Sequence, residues 1–355
     1  MQSQFKPESG MGWSAMSEAS EFIWVAARDA VARSPIQTPV NPLGPRALGP
    51  AREWAVSSGL VSSGPALARL NDTRYGEHAA DTCPTASIDG LVLLTKWMMW
   101  FFIIDDHLDE AASVSDIEGV RHAFVDACSD HPADTSIPAV AALNDLWSST
   151  AAGRTRPWRD RARANLGRWF DTWTVEQEWR SAGLVPTMDQ YLRHRRISGA
   201  MDLCGDLVEA VIDMEISDDA RALASYIGYR DAVAMVPGII NDVASYPREH
   251  ASGHLANLVT VLRASGSSEH EAVRRACDTF LLWVHRYQTV EQGWTAELKQ
   301  LSNSSAAAAI RWTDEMRGWV GGYPRWLVKY ADVGRHRADV DTAHIEDILT
   351  SRPID

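Results

Sequence analysis

Cysteine is scarce and scattered. Cys83, Cys128, Cys204 and Cys277 are the only four in 355 residues and stand 45, 76 and 73 positions apart. That spacing excludes a CxxC zinc pattern and a disulfide framework and leaves them as packing residues. Runs and stripes of Lys and Arg are also missing, in a chain with 34 basic against 47 acidic side chains. No electrostatic grip on a phosphate backbone is expected, so nucleic acid is excluded as a partner. No apolar stretch approaches the roughly twenty residues of a membrane span. The longest, Leu91 to Ile104, has 14 residues, with Lys96 inside it and Asp105 at its end. The first residues carry Glu8 in place of a basic segment followed by an apolar one, so no signal peptide is read and a cytoplasmic location is expected. Strict alternation of the strand type is almost absent.

What is present is apolar residues at three- and four-residue spacing, in a chain with 45% hydrophobic side chains, enough for a sizeable core. The body is predicted to be all-α. Helices are expected over Asp89 to Asp109, Ile117 to Ala127, Ala139 to Ala151, Trp158 to Ser181, Met188 to Ile212 and Asp218 to Val243. Three more are expected over Leu255 to Ala264, Glu269 to Leu301 and Ser305 to Tyr330. Breaks at Ala182-Gly183, Ser265 to Ser268 and Gly321-Gly322 are short, which favours antiparallel neighbours in one bundle. The five prolines between Pro35 and Pro50 predict an extended arm. The expected organisation is therefore an arm over 1–50, one helical domain over 51–347 and a tail over 348–355. The 15 tryptophans crowd the later helices, an aromatic excess that the interior must use.

Chemistry concentrates where the most hydrophobic helix ends in acids, Phe101-Phe102-Ile103-Ile104-Asp105-Asp106-His107-Leu108-Asp109-Glu110. Asp105 and Asp109 are four apart and share a helix side, so their carboxylates can share a cation. Hard ions such as Mg²⁺ prefer oxygen ligands. Taken alone, a solvated acidic helix end explains the run equally well. The second cluster runs Asn241-Asp242-Val243-Ala244-Ser245-Tyr246-Pro247-Arg248-Glu249. In it Asn241, Ser245 and Glu249 fall at i, i+4 and i+8, a low-charge, all-oxygen set on one face if the helix continues. Pro247 threatens that face, because it removes one helical hydrogen bond just before Glu249.

This pair of motifs, 136 positions apart in a helical chain, resembles the aspartate-rich and NSE metal motifs of single-domain bacterial class I terpene synthases over about 90–340. The resemblance implies an all-α bundle around a central active-site cavity, with three Mg²⁺ ions (Mn²⁺ as a substitute) bound through Asp105, Asp106, Asp109, Asn241, Ser245 and Glu249. The implied substrate is a linear prenyl diphosphate, farnesyl (C15) or geranylgeranyl (C20), which is ionised and cyclised with release of diphosphate. Arg195 stands 46 positions before Asn241, the family's place for a diphosphate sensor. Ser198 is then the linker, Gly199 the effector, and Arg196 an alternative sensor. Arg248 and the C-terminal pair Arg335-His336 are implied diphosphate donors. His336 stands where relatives carry tyrosine, which brings a group that titrates near neutrality. Phe101 and Phe102, one turn or less from Asp105, and Trp326 and Trp97 are candidate rings for stabilising a carbocation through their π faces. Dimers are common in the family, so a homodimer is an expected assembly.

Two rivals share part of this pattern. A chain-elongating isoprenyl diphosphate synthase would carry a second aspartate-rich motif where this chain has Asn241 to Ser245. A non-catalytic helical relative or scaffold explains the composition but not the joint spacing. A protonation-initiated cyclase would need a DxDD motif, and none is found.

Overall fold

The computed structural model describes residues 18–109, 114–129, 136–330 and 343–350, and every regular element among them is helical. Four helices open the chain: α1 (Glu18–Ala32), α2 (Gly44–Ser57), α3 (Gly64–Asp72) and α4 (Tyr75–Thr82). The sequence reading contained none of them. Residues 44–50, expected to be extended, instead begin α2, because Pro45 sits in its first turn, where a missing N–H costs nothing, and Pro50 is carried inside it. The arm is also part of the body. Ile23, Trp24, Ala27 and Ala30 of α1 are buried.

Next comes α5 (Ile88–Asp109), apolar around most of its circumference and largely buried. It packs against α2 and α4, and against α7 (Pro138–Ala151) and α10 (Met201–Val211). Between them lie α6 (Val114–Ala127), α8 (Arg156–Ala182) and α9 (Met188–Ser198). Helix α8 is capped by the Thr155 hydroxyl and stops at Gly183, whose φ of 64° is the left-handed conformation that glycine takes without strain. A capping box of Thr187 and Gln190 starts α9. The single helix expected over Met188 to Ile212 is thus two, broken at Gly199 and Ala200.

The span expected as Asp218 to Val243 is also two helices, α11 (Asp218–Arg221) and α12 (Tyr226–Ala251). Helix α12 runs through Pro237 and Pro247 and reaches Ala251, so the turn that carries Glu249 is helical after all. It lies along α14 (Glu269–Leu298), with α13 (Leu258–Ala264) between them in sequence and α15 (Asn303–Tyr330) completing the bundle. Gly321 and Gly322 do not break α15. They are where it touches its neighbours' backbone: a Cβ on Gly322 would stand 1.9 Å from the Asp81 carbonyl oxygen of α4, and one on Gly318 2.3 Å from that of Thr82. The segment read as a tail begins inside the core, since Ile348 is buried and its carbonyl accepts from Ala139 N at 3.1 Å.

Candidate active site

Helices α5, α8, α9, α10, α12 and α15 surround one cavity. Asp105 and Asp109 line it from the last turn and a half of α5, and Asn241 and Glu249 from α12. The two motifs therefore open on the same space, although they come from opposite ends of the chain's middle. Ser245 lies between Asn241 and Glu249, buried and off the cavity lining, with its hydroxyl donating to the Asn241 carbonyl at 2.9 Å. The Glu249 carboxylate accepts from Asn257 Nδ2 at 2.9 Å. Burial pushes the Glu249 pKa up, but Arg248, His254, Asn257 and Ser245 outweigh it and hold it below the ordinary value. A half-buried carboxylate kept charged, beside the Asn241 amide oxygen on α12 and facing the Asp105 and Asp109 carboxylates of α5 across the cavity, fits a hard divalent cation. Among the described residues no three His, Cys, Asp or Glu converge into a ready-made cage, so the donors are divided between two rims.

Asp106 behaves differently from its neighbours. It is buried, turned away from the cavity lining, and paired with Arg69 at 3.1 Å, Arg248 at 3.4 Å and His344 at 3.6 Å. This takes it out of the group of side chains that face Asn241 and Glu249. Arg248 itself reaches from α12 to α5, coming within 3.6 Å of Asp109 as well. The guanidinium ties the two rims together at the mouth. Arg180 of α8 adds hydrogen bonds to the Asp109 carbonyl at 3.2 Å.

Arg195 lines the cavity beneath the α12 motif. Its guanidinium donates to the Gly238 carbonyl and to the Asn241 amide oxygen, each at 2.8 Å from Nη2, and pairs with Asp242 at 3.0 Å. Burial disfavours its charge, but Asp242, Tyr191 and Glu249 outweigh that, and its pKa is raised. Gly238 leaves room for this approach: a Cβ there would meet Arg195 Nε at 3.1 Å. Arg196, the alternative sensor, points elsewhere, into ion pairs with Asp202 and Asp231.

Asp242 was not among the expected site residues, yet it anchors this arrangement. It accepts from the Tyr191 hydroxyl and from Leu258 N at 2.7 Å, so it joins α12 to α9 and α13. Burial, opposed by Arg195 and reinforced by Glu249, pushes its pKa up to about 6.

The break between α9 and α10 forms part of the wall, through Ser198, Gly199 and Ala200. Ala200, not Gly199, takes the left-handed conformation, with φ 55° and ψ 13°. For a residue with a Cβ this costs about 1–2 kcal/mol, and such strain collects at functional sites. The Trp169 indole fixes the turn by donating to the Ser198 carbonyl at 3.2 Å.

Phe101 and Phe102 both line the cavity, as expected from their place beneath Asp105. Trp97 and Trp326 do not. Trp97 is fully buried behind Phe101 and donates to Thr150 at 2.8 Å. Trp326 stacks behind Phe102, with centroids 6.2 Å apart and an interplanar angle of 8°. The missed aromatic lining is Trp169 and Trp173 of α8 with Trp319 and Tyr323 of α15, where part of the tryptophan excess is used. The Tyr323 hydroxyl also accepts from the Asn241 amide at 3.1 Å. No local spacing signals these residues, because their helices are far apart in sequence. Arg335 and His336, the expected C-terminal donors, lie outside the described residues.

A family model described as "Terpene synthase family 2, C-terminal metal binding" matches residues 96–284. A (2Z,6E)-hedycaryol synthase of Kitasatospora setae is 27% identical over 300 residues, covering 81% of this chain and 86% of that protein. A pentalenene synthase of Streptomyces exfoliatus is 26% identical over 295 residues, covering 81% and 86%. The solved structure of a hedycaryol synthase in complex with HEPES superposes with a TM-score of 0.73 at 26% identity, covering 83% of this chain and 97% of that one. The chain belongs to the bacterial class I terpene synthases, lyases that ionise and cyclise a linear prenyl diphosphate.

Proposed function

We propose that this enzyme takes farnesyl diphosphate, with the diphosphate at the mouth between α5 and α12 and the prenyl chain against the aromatic wall. The observation that carries the reading is that Asp105, Asp109, Asn241, Glu249 and Arg195 share one cavity with Phe101 and Phe102. Mn²⁺ substituting for Mg²⁺, and a count of three ions, are part of the proposal. So are a homodimer and a cytoplasmic location, the latter in keeping with the fact that no described helix is long and apolar enough to cross a membrane. The C15 length is favoured by relatives such as a (+)-T-muurolol synthase of Roseiflexus castenholzii, whose name specifies (2E,6E)-farnesyl diphosphate.

The residues divide the work. Asp105 and Asp109 on one rim and Asn241, Ser245 and Glu249 on the other would hold the metal, which supplies positive charge to neutralise the leaving diphosphate. Arg195 and Arg248 donate charge-assisted hydrogen bonds to the same group, so negative charge that develops as the C–O bond breaks meets preorganised donors. Phe101, Phe102, Trp169, Trp173, Trp319 and Tyr323 offer π faces to the allylic cation and exclude water from it. The strained turn at Gly199 and Ala200 sits in the same wall, where a backbone dipole can act on the cation.

The test is incubation of the purified chain with geranyl, farnesyl and geranylgeranyl diphosphate, each with Mg²⁺ or EDTA, followed by gas chromatography and mass spectrometry. A Mg²⁺-dependent C15 product from farnesyl diphosphate is expected. Turnover of geranylgeranyl diphosphate alone would move the substrate to C20. Longer prenyl diphosphates formed only with added isopentenyl diphosphate would favour chain elongation.

A further inference from the structure

His78 of α4 is a buried titratable group that the chemistry above leaves unused. It is 0% exposed, and neither ring nitrogen has a hydrogen-bond partner among the described residues. Buried polar atoms without partners are a net cost, so a phenyl ring would be cheaper in this position. The surroundings show what the imidazole does instead. Its ring meets Phe102 at 6.0 Å and 85°, Trp319 at 5.4 Å and 73°, Tyr323 at 5.7 Å and 83°, and Trp326 at 4.7 Å and 84°. All four are edge-to-face contacts, the arrangement in which a ring edge or an N–H finds the negative face of another ring.

Three of those rings, Phe102, Trp319 and Tyr323, also line the cavity. The Tyr323 hydroxyl is held by Asn241. Trp319 has no such tether, since its indole nitrogen has no acceptor among the described residues, and Phe102 has no polar atom to tether. The planes of those two rings are therefore set by what packs against them. The imidazole is also kept neutral, because burial pushes its pKa down to about 3. An imidazolium behind these rings would compete for the π faces that a carbocation needs.

We propose that His78 is a positioning residue for cyclisation: wedged among four rings, it sets the planes of Phe102 and Trp319 and so decides which carbon of the migrating cation they stabilise. The proposal rests on the cavity being the cyclisation site. Competing cation rearrangements differ little in barrier, so a small tilt of a π face changes the product ratio more than it changes substrate binding.

The experiment compares the parent chain with His78→Phe and His78→Leu on farnesyl diphosphate and Mg²⁺, reading product distribution, kcat and KM separately, with circular dichroism and Tm as controls. The expected result is a folded His78→Phe variant with KM within about twofold of the parent, lower kcat, and a several-fold smaller share of the main product. His78→Leu, which removes the ring, should shift the distribution further. A His78→Phe variant with the parent's products and kcat overturns the proposal. Loss of folding in both variants would also overturn it, by assigning His78 to the core alone. No turnover by the parent on any prenyl diphosphate would sink the reading of the cavity itself, and the proposal with it.

Discussion

Adjacent aspartates at the end of α5 lie in different surroundings, and a pair of conservative substitutions tests what each does. Asp105 lines the cavity, whereas Asp106 is buried against Arg69, Arg248 and His344. Asp105→Asn should lower turnover by about 10²-fold or more with Tm nearly unchanged, since a charge aimed at the ligand is lost. Asp106→Asn should mainly lower stability, by up to about 3 kcal/mol, because breaking a buried ion pair leaves its partners uncompensated. Equal losses of turnover with unchanged Tm would put both carboxylates in the metal site. His78 gives a second prediction at this scale. Its folded-state pKa of about 3 lies below the ordinary 6.5, so the unfolded chain takes up a proton first and stability falls as pH drops from about 6.5 towards 3. The slope is about 1.4 kcal/mol per pH unit, and His78→Phe should lack it. Denaturation curves of the two proteins at pH 7, 6 and 5 should diverge on acidification, and parallel behaviour would mean that the imidazole is not buried neutral. Asp105, Asp109, Asn241 and Glu249 were legible in the sequence because oxygen donors repeat at helical spacing. Asp242, Tyr323 and His78 were not, because their importance comes from partners on other helices.

Elements that the sequence concealed are those defined by contact rather than by periodicity. Helices α1 to α4 have only 8 to 15 residues each. Pro45 read as part of an extended arm although it occupies a first-turn position, where proline is favoured. The break at Gly199-Ala200 was hidden from periodicity, which carried a single helix across it. Gly321-Gly322 misled in the other direction, since glycine in a helix can mark a close approach as well as a stop. That distinction can be measured. Gly322→Ala places a Cβ within 1.9 Å of the Asp81 carbonyl, so α15 must move off α4, with a loss of several kcal/mol or failure to fold. Gly293→Ala in α14 meets nothing within 4 Å and should instead stabilise by about 0.5–1 kcal/mol through helix propensity. If both variants melt like the parent, the α4–α15 contact is looser than described.

At the scale of the whole molecule, the polar residues that line the cavity are divided so that no single element could hold the proposed ligand. The α5 rim brings two carboxylates and the α12 rim an amide and a carboxylate. The main link across the mouth is Arg248, reaching Asp106 and Asp109. With donors divided in this way and no three acidic, His or Cys side chains converging among the described residues, a cation alone has few ligands and an anion alone meets carboxylates. The two together satisfy both rims. Mg²⁺ with inorganic diphosphate should therefore raise Tm by several degrees, as expected for about 2.7 kcal/mol of linkage at a hundred times Kd. Either component alone should do much less. Asn241→Ala, which keeps the α5 rim but removes the amide that Arg195 and Tyr323 hold, should lose most of the combined shift. A full shift with Mg²⁺ alone would mean that the protein donors suffice as a cage, and no shift with the pair would remove the mouth between α5 and α12 as the diphosphate site.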